Sequence, residues 1–497
     1  MHHKNIRRIL KKQLKRNHPH WKKMHKKDKK TIVKNALEEA VRDYDFSQAV
    51  DAPLEELIEI EGQLPTAGIM NLKEMAEFID SFNKDRLIEF NRDDRINKYI
   101  QDDELKFIHN LLDDRIINAL LSYHGYTPSM RVFFPSQYFR AELLKAIKYP
   151  EFSYRKFCSD ECMGSERKRN RVFMGLPLNK KMEIDHTQLS KFRTGTTFVQ
   201  LVNLLVYILH NFFQSGLLSE FSLHGVDSTE LANFCKTPLA SVEIDGQKIR
   251  IYNDLDSDCG SRRNKRDKSK YVVGYRLHVL TAIDAKTGHS FPLVSMLAPA
   301  NHHDSLFLKP LVQLAQAMGI DLKLVSADEA YNDKDGSLQE MGVRLITPAS
   351  SKAKLPENVD AETKTVMCDE FCEIPMQIVG SGEGGHEFKC AANSGECSRS
   401  GMCQQFREIP FDSGYFQPMF HGSEHAKESV GIRKNAERPN NLLKNQTGLE
   451  DVRVRSQHAL LARTVFSNIG TLLLEMAGTR RKDKQEKLQG ELFDEAA

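Results

Sequence analysis

Apolar residues recur at helical spacing through residues 50–215 of the chain. This spacing predicts a mostly helical N-terminal domain. The segment IDHTQLSKFR (184–193) predicts one of its helices, which Thr187 could cap. The apolar run Phe198–Phe213 is shorter than the about 20 residues that a membrane span needs and it includes Gln200 and Asn203, so we expect a buried helix there.

From about residue 220 the apolar pattern shortens and becomes rich in β-formers. The stretches FSLHGVDST, QKIRIYND, YVVGYRLHVLTAID and SFPLVSMLAP are separated by turn residues. An amphipathic helix follows in DSLFLKPLVQLAQAMG (304–319), and then a further strand in DLKLVSAD (321–328). Strands, a helix and another strand in this order predict an α/β fold.

The last third of the chain changes pattern twice. Residues 351–420 are rich in Gly, Cys, Glu and Ser and lack clear periodicity, so we expect an insertion. A helical pattern resumes at about 424 and runs to about 478. The predicted regions are a basic arm (1–45), a helical domain (46–215), a core (216–350) interrupted by the insertion (351–420), C-terminal core helices (421–480) and a polar tail (481–497).

Charge is unevenly distributed along the chain. Residues 1–30 hold 13 Lys or Arg and one acid, so the remaining residues carry −9 against a net total of +3. Such a basic arm either binds phosphate backbones or is a solvated charge run. The N-terminus lacks the apolar region of a secretory signal, and nine cysteines in 497 residues form no disulfide framework. We therefore expect an intracellular, reducing location.

Two acidic residues follow predicted strands. Asp227 stands in GVDST and Asp328 in VSADEAYND. An acid at the carboxyl end of a strand projects at the sheet edge where α/β folds place ligands. Either residue alone could instead be a helix cap or a turn residue, and only their pairing favours a functional site.

A third acid, Glu437, is flanked by two cations at helical spacing. Arg433, Glu437 and Lys444 fall on one helical face at about 100° per residue. The alternative is a surface salt-bridge pattern, which is common on helices. Pro439 predicts a kink or a helix restart near 437–439.

Together these motifs resemble the DDE transposases of bacterial insertion sequences, over about residues 135–475. The matching segments are Asp227-Ser228-Thr229, Asp328-x2-Tyr331-Asn332-Asp333, Arg433-x3-Glu437-x6-Lys444, Gly274-x3-His278 and PANHHDS (299–305). The resemblance implies an RNase H-like catalytic core, interrupted by the Cys-rich insertion and preceded by a helical domain that binds DNA ends. The chain departs from one subgroup at Val430, where that subgroup has a Tyr that contacts DNA.

The resemblance also implies roles for the site residues. Asp227 would bridge two Mg²⁺ ions, which Mn²⁺ can replace, while Asp328 and Glu437 would each hold one ion. Arg433 and Lys444 would hold phosphates. The cluster RRNKRDKSK (262–270) either adds affinity for the DNA backbone or is an exposed loop; its predicted DNA-binding residues are Arg262, Arg263 and Lys265.

The implied function is cleavage of double-stranded DNA at terminal inverted repeats, followed by joining to target DNA through a 3′-OH. The implied partners are this DNA and a second copy of the chain on paired ends, with no membrane and no small-molecule substrate. The implied location is the cytoplasm, at the bacterial nucleoid. A non-catalytic DNA-binding regulator derived from a transposase, or a nuclease without a joining step, remain alternatives. Inverted repeats flanking the coding region would distinguish the transposase from both.

Five of the nine cysteines fall in the insertion. They are Cys368, Cys372, Cys390, Cys397 and Cys403. Four Cys or His ligands in two close pairs make a structural zinc site, and this spacing is looser than in paired CxxC motifs. A small zinc module and scattered free thiols are both open. Cys158 and Cys162 form another close pair, for which we expect free thiols.

Overall fold

The computed structural model describes most of the helical domain and the core. The described residues are 31–32, 35, 66–83, 94–122, 133–178, 183–219, 222–233, 237–238, 240–244, 247–252, 254, 256–261, 271–328, 330–331, 337–347, 359–360, 365–368, 374–381, 385–391, 406–410, 431, 433–450 and 454–478. The predicted basic arm lies outside them, apart from residues 31, 32 and 35, and so does the polar tail.

The described residues between 72 and 214 form ten helices. They are α1 Leu72–Asn83, α2 Asp94–Tyr99, α3 Asp103–Leu111, α4 Asp114–Ser122, α5 Pro135–Lys148, α6 Tyr154–Phe157, α7 Asp160–Met163, α8 Lys168–Phe173, α9 His186–Gly195 and α10 Phe198–Gln214. The apolar run predicted as a buried helix is α10, which has eleven buried residues.

Short-range hydrogen bonds fix where α9 and α10 begin. In α10, the Gln200 N–H donates to Thr197 Oγ1, and the Thr197 N–H donates to Gln200 Oε1, which is a capping box. In α9 the cap is Asp185, whose side chain accepts from the Thr187 N–H at 2.7 Å. The expectation that Thr187 caps this helix is therefore wrong by two residues, because Asp185 stands just before the first helical residue, whereas Thr187 already lies in the first turn.

The core contains a mixed sheet. Its strands are β1 Ser222–Ala232, β4 Asp258–Ser261, β5 Tyr271–Asp284, β6 Ser290–Pro299, β7 Leu324–Ser326 and β8 Arg344–Ile346. Strand β1 lies between β5, to which it is antiparallel, and β7, to which it is parallel. Strand β8 continues the parallel side next to β7, while β4 and β6 both pair antiparallel with the other edge of β5.

The segment between β6 and β7 crosses one face of the sheet. It contains a 3₁₀ turn, Asp304–Phe307, followed directly by α11, Leu308–Ala317. The predicted amphipathic helix over 304–319 therefore begins as a tighter turn. A short helix, α12 Ser337–Glu340, precedes β8.

The C-terminal part is not one continuous helix. A 3₁₀ turn (Lys434–Ala436) leads into α13 (Glu437–Asn441) and a π-helix (Leu442–Gln446), and after a break α14 spans Gln457–Met476. The left-handed backbone of Ser456, with φ 82°, marks the start of α14. Pro439, which cannot donate a backbone hydrogen bond, lies in the first turn of α13, where none is needed.

Helix α14 joins the helical domain to the sheet. It packs on β6, α5, α9 and α10. Phe466 of α14 stacks on Phe192 of α9, with ring centroids 5.9 Å apart and an angle of 8°, and it meets Phe139 of α5 edge-on. By length and composition α14 could cross a membrane, but 94% of its apolar window is buried in the protein, as in a core helix.

Two smaller sheets lie outside the core sheet. Strands β2 (Ala240–Ile244) and β3 (Gln247–Ile251) pair as a hairpin. In the Cys-rich insertion, β9 (Met376–Ser381), β10 (Gly385–Cys390) and β11 (Phe406–Pro410) form an antiparallel sheet in the order β11-β10-β9. The sequence pattern did not predict these three strands.

Candidate active site

The parallel pairing of β1 and β7 brings Asp227 near Asp328. His224 pairs with Val325, and Gly225 pairs with Ser326. Asp227 lies two residues beyond Gly225 within β1, which stays paired with β5 up to Ala232, so the prediction that this acid follows its strand is wrong. Asp328 lies two residues beyond Ser326, just past the end of β7, and its charge acts on Asp227.

Asp227 is partly buried and held by one strong contact. Asn440 Nδ2, on α13, donates a hydrogen bond of 2.8 Å to Asp227 Oδ2. Burial raises the pKa of Asp227 to about 6; the negative charges of Glu437 and Asp328 act in the same direction, and the Asn440 hydrogen bond opposes them. Asp227 therefore lies in the field of both other predicted acids.

Asp328 is held in a tight turn just beyond β7. The Ala330 N–H donates to Asp328 Oδ1 at 2.9 Å, and the Tyr331 N–H donates to the Asp328 carbonyl at 3.2 Å. Burial raises the pKa of Asp328, and the charge of Asp304 adds to this, whereas Arg433 lowers it. Arg433 thus lies close enough to Asp328 for their charges to interact.

Glu437 approaches Asp227 because Gly225 leaves room for its helix. Side chains alternate along β1, so Gly225 and Asp227 face the same side. A Cβ on Gly225 would lie 2.7 Å from the Cβ of Ala436, the residue before Glu437. Only glycine permits this approach, and it brings the exposed Glu437 side chain to the edge of the site.

The prediction that Arg433, Glu437 and Lys444 share one face of a regular helix is wrong. The segment passes from a 3₁₀ turn to an α-helix at Glu437 and then to a π-helix that contains Lys444. The restart predicted near 437–439 is found at Glu437. Lys444 forms an ion pair with Glu450, with Nζ and Oε2 3.0 Å apart.

A second polar group lies on the opposite face of β1. Ser228 donates a hydrogen bond to Asp304 Oδ2 at 3.1 Å, and Arg276 Nη1 of β5 donates to Asp304 Oδ1 at 2.7 Å. Arg276 also lies 3.8 Å from Glu230. Asp304 is buried, and both of its oxygens have partners, so it ties β1 and β5 to the turn after β6.

The sequence reasoning did not single out Asn440 or Asp304. Asn440 stands three residues after Glu437, a spacing that puts both on one helical face and could have indicated it. Asp304 belongs to the segment PANHHDS, and its pairing with Arg276 is a contact between distant parts of the chain that spacing cannot indicate.

Several predicted residues lie outside the described part of the chain. They are Arg262, Arg263, Lys265, Val430, Cys372, Cys397 and Cys403. Of the other insertion cysteines, Cys368 is buried in an apolar cluster with Val366, Met376 and Phe388, and Cys390 ends β10. The zinc module stays a prediction.

Residues 240–472 match the family model described as the transposase DDE domain. This stretch of the chain is similar to a transposase domain of the DDE type. The match includes Asp328 and Glu437 and begins after Asp227. It supports a transposase function for the chain.

Among solved structures, the chain is similar to a piggyBac transposase synaptic complex with hairpin DNA, determined by cryo-EM. The identity is 11%, the similarity covers 79% of this chain and 75% of that one, and the TM-score is 0.32. A comparison with curated proteins gives no significant match.

Proposed function

We propose that this chain is a DDE transposase that cleaves and rejoins DNA with divalent metal ions and moves a bacterial insertion sequence. One observation carries the proposal: Asp227 interacts with the charges of both Asp328 and Glu437 at one end of the sheet, in a chain that matches a transposase DDE domain. Three acids from distant positions at one sheet edge are a donor set for hard cations.

The strand order supports an RNase H-like core. Strands β6, β5 and β1 are successive antiparallel neighbours, and β7 and β8 follow on the parallel side of β1. In this arrangement β1 and β7 are parallel neighbours. Asp227 lies on β1, and Asp328 lies just beyond the end of β7.

The carboxylates fit a divalent cation in their chemistry. Burial and mutual repulsion raise the pKa of Asp227, so a cation between the acids would relieve a cost that the protein otherwise carries. Within the described ranges, however, no three His, Cys, Asp or Glu side chains approach closely enough to hold an ion together. Asp227, Asp328 and Glu437 would hold the ions after small adjustments of their side chains, and the exposed Glu437 has the most freedom to adjust.

The bound ions would activate the attacking oxygen and stabilise the leaving oxygen of the phosphodiester. The chain itself supplies orientation and charge. Asn440 Nδ2 donates to one oxygen of the Asp227 carboxylate, and the Ala330 N–H donates to one oxygen of the Asp328 carboxylate. Arg433, next to Asp328, suits a contact with a DNA phosphate, and Lys444 suits a second one once it leaves Glu450.

The partner that fits this site is double-stranded DNA, both the element ends and the target. Arg262, Arg263 and Lys265 would add contacts to the DNA backbone, since phosphate contacts from cations are independent of sequence. We extend the proposal to a homodimer acting on paired ends in the bacterial cytoplasm.

The test is strand cleavage by the full chain, on a plasmid that carries the DNA flanking the coding region. With MgCl₂ or MnCl₂ the wild type should nick and then join this DNA, and Asp227→Asn should abolish both steps while leaving DNA binding largely intact. Asp321→Asn is the matched control, because the Asp321 side chain is 78% exposed and forms an ion pair with the exposed Lys323. Undiminished cleavage by Asp227→Asn would refute the proposal.

The same assay decides between the transposase and its two alternatives. Cleavage without joined products, under conditions that support cleavage of both ends, would indicate a nuclease. Specific binding without any metal-dependent cleavage would indicate a regulator derived from a transposase.

A further inference from the structure

Tyr331 closes the turn that carries Asp328. It stands three residues after that acid, and its side chain is almost fully buried, with 1% of the residue exposed. Its hydroxyl lies 2.9 Å from Nδ1 of His278, in the middle of β5. The hydrogen bond thereby attaches the Asp328 turn, which follows β7, to β5, and β1 lies between these two strands.

His278 is itself fixed on two sides. The register of β1 and β5 places it opposite Ser228, the neighbour of Asp227. Its ring stacks on Phe307, with centroids 4.5 Å apart and an angle of 13°. Such a ring has little freedom to move, so it is a rigid anchor for the Tyr331 hydroxyl.

Both partners are neutral at physiological pH. Burial lowers the pKa of His278 to about 3 and raises that of Tyr331, on which the charges of Asp304, Asp328 and Asp227 act in the same direction. One proton therefore lies between Nδ1 and the phenol oxygen. His278 Nε2 has no hydrogen-bond partner among the described residues, so Tyr331 is the hydrogen-bonding contact of this ring.

The burial of Tyr331 excludes direct chemistry on DNA. A phenol that is 1% exposed does not reach a phosphodiester, so Tyr331 is no nucleophile. Tyr331 can instead act on Asp328, which stands three residues before it and whose carbonyl accepts a hydrogen bond from the Tyr331 N–H. Asp328 is repelled by neighbouring acids, and a turn without an anchor would let its carboxylate swing away from them.

We propose that the Tyr331–His278 hydrogen bond positions Asp328 for divalent-metal binding. This inference rests on the proposed function of the site. Tyr331 and His278 are positioning residues in it, since neither would touch the ion or the DNA. Partners that orient metal ligands in this way typically change metal affinity by about 10- to 100-fold when they are removed.

The test compares variants that keep or lose the hydrogen bond while keeping the packing. Tyr331→Phe removes only the hydroxyl. In His278→Asn the amide occupies the position of Nδ1, and in His278→Gln it occupies the position of Nε2, so these two lose the same ring stacking but differ at the atom that Tyr331 contacts. Tyr271→Phe, at the 71% exposed start of β5, is the matched control.

The primary measurement is binding of MnCl₂ to the full-length chain without DNA, followed by electron paramagnetic resonance. Tyr331→Phe and His278→Gln should weaken Mn²⁺ binding by about 10-fold or more, and His278→Asn should stay within about threefold of the wild type. Thermal unfolding in EDTA separates this from a loss of stability, because His278→Asn and His278→Gln should melt at similar temperatures. If Tyr331→Phe does not fold, the His278 pair decides alone.

Wild-type Mn²⁺ affinity in folded Tyr331→Phe, or equal affinities for His278→Asn and His278→Gln, would overturn the inference. Failure of the proposed function looks different. In that case wild type and Asp227→Asn would bind Mn²⁺ equally, and neither would cleave DNA. Loss of binding in Asp227→Asn together with full binding in Tyr331→Phe would reject the positioning pair alone.

Discussion

The two Asp residues and Glu437 reach the same site by different structural means. Asp227 lies within β1 and Asp328 just beyond the adjacent parallel strand β7, so the pairing of these strands brings the two acids together. Glu437 is exposed and lies where a 3₁₀ turn becomes an α-helix, so its place depends on side-chain packing. Asp227 and Asp328 form the strand-borne half of the site, which is part of the sheet. Glu437 and its helix form the docked half, which packs onto the sheet and is easier to displace.

A substitution at Gly225 should displace the docked half and have the largest effect on DNA cleavage. In Gly225→Ala the new methyl group would lie 2.7 Å from the Cβ of Ala436 and 3.2 Å from Ile283 Cδ1. The 3₁₀ turn must then move away from β1 and take Glu437 with it. A displacement of about 1 Å at a catalytic group can cost roughly 100-fold in rate, which we expect for DNA cleavage.

The matched control for this variant is a double substitution. Gly225→Ala with Ala436→Gly restores the space between the strand and the turn, and it should recover most of the cleavage rate despite the cost of about 1 kcal/mol for Gly in a helical turn. Equal losses in the single and double variants would show that Glu437 does not depend on this contact.

The contrast between the two halves also explains what the sequence could predict. The β-rich runs before Asp227 and Asp328 indicated the presence of β1 and β7, because a strand leaves a local pattern. The predicted end of β1 at Asp227 is wrong, since its pairing with β5 continues to Ala232. The position of Glu437 depends on Gly225, 212 residues earlier, and no local pattern contains that contact. The strands β9 to β11 were missed for a related reason: they are short, and β11 alternates between exposed and half-buried positions without a strong apolar face.

The hydrogen bond from Asn440 to Asp227 joins the docked half to the strand-borne half. Asn440→Ala should reduce cleavage on the order of tenfold, because a hydrogen bond to a carboxylate is worth about 1.5–3 kcal/mol. This bond lowers the pKa of Asp227, so its removal raises that pKa further above 6 and increases the protonated fraction near neutral pH. The loss should therefore be larger at pH 6 than at pH 8.

A pH profile of cleavage for wild type and Asn440→Ala checks this prediction. The neighbouring Asn441→Ala is the control, since Asn441 is exposed and its side chain accepts a hydrogen bond from that of nearby Asn445. A loss of the same size at every pH would mean that Asn440 does not act through the protonation of Asp227.

In the absence of metal, the buried charge of Asp227 in the strand-borne half should lower the folding stability in a pH-dependent way. Burial raises the pKa of Asp227 in the folded protein to about 6, above its unfolded value near 4. The folded state then binds this proton more tightly than the unfolded state. The loss of folding stability is therefore absent below pH 4, grows between pH 4 and 6, and reaches its full size above pH 6. Asp227→Asn should therefore be more stable than the wild type at pH 7.5 by about 1–2 kcal/mol and no more stable at pH 4.

Denaturant unfolding in EDTA at both pH values measures this difference. Asp321→Asn should show none of it, since Asp321 is exposed. A stability gain in Asp227→Asn that persists at pH 4 would indicate a cause other than the buried charge.

The smallest effect is expected at Lys444, the outermost residue of the docked half. Its ion pair with Glu450 is partly exposed, with 20% and 54% of the two side chains accessible, so it should add less than about 1 kcal/mol to stability. Glu450→Gln should leave the melting temperature nearly unchanged and release Lys444 for a phosphate. DNA affinity at low salt should then rise by about threefold, and the logarithmic salt dependence should steepen by about one unit. Lys444→Gln in the same background should remove both changes; if the affinity stays raised there, the gain comes from the lost negative charge of Glu450 and not from Lys444.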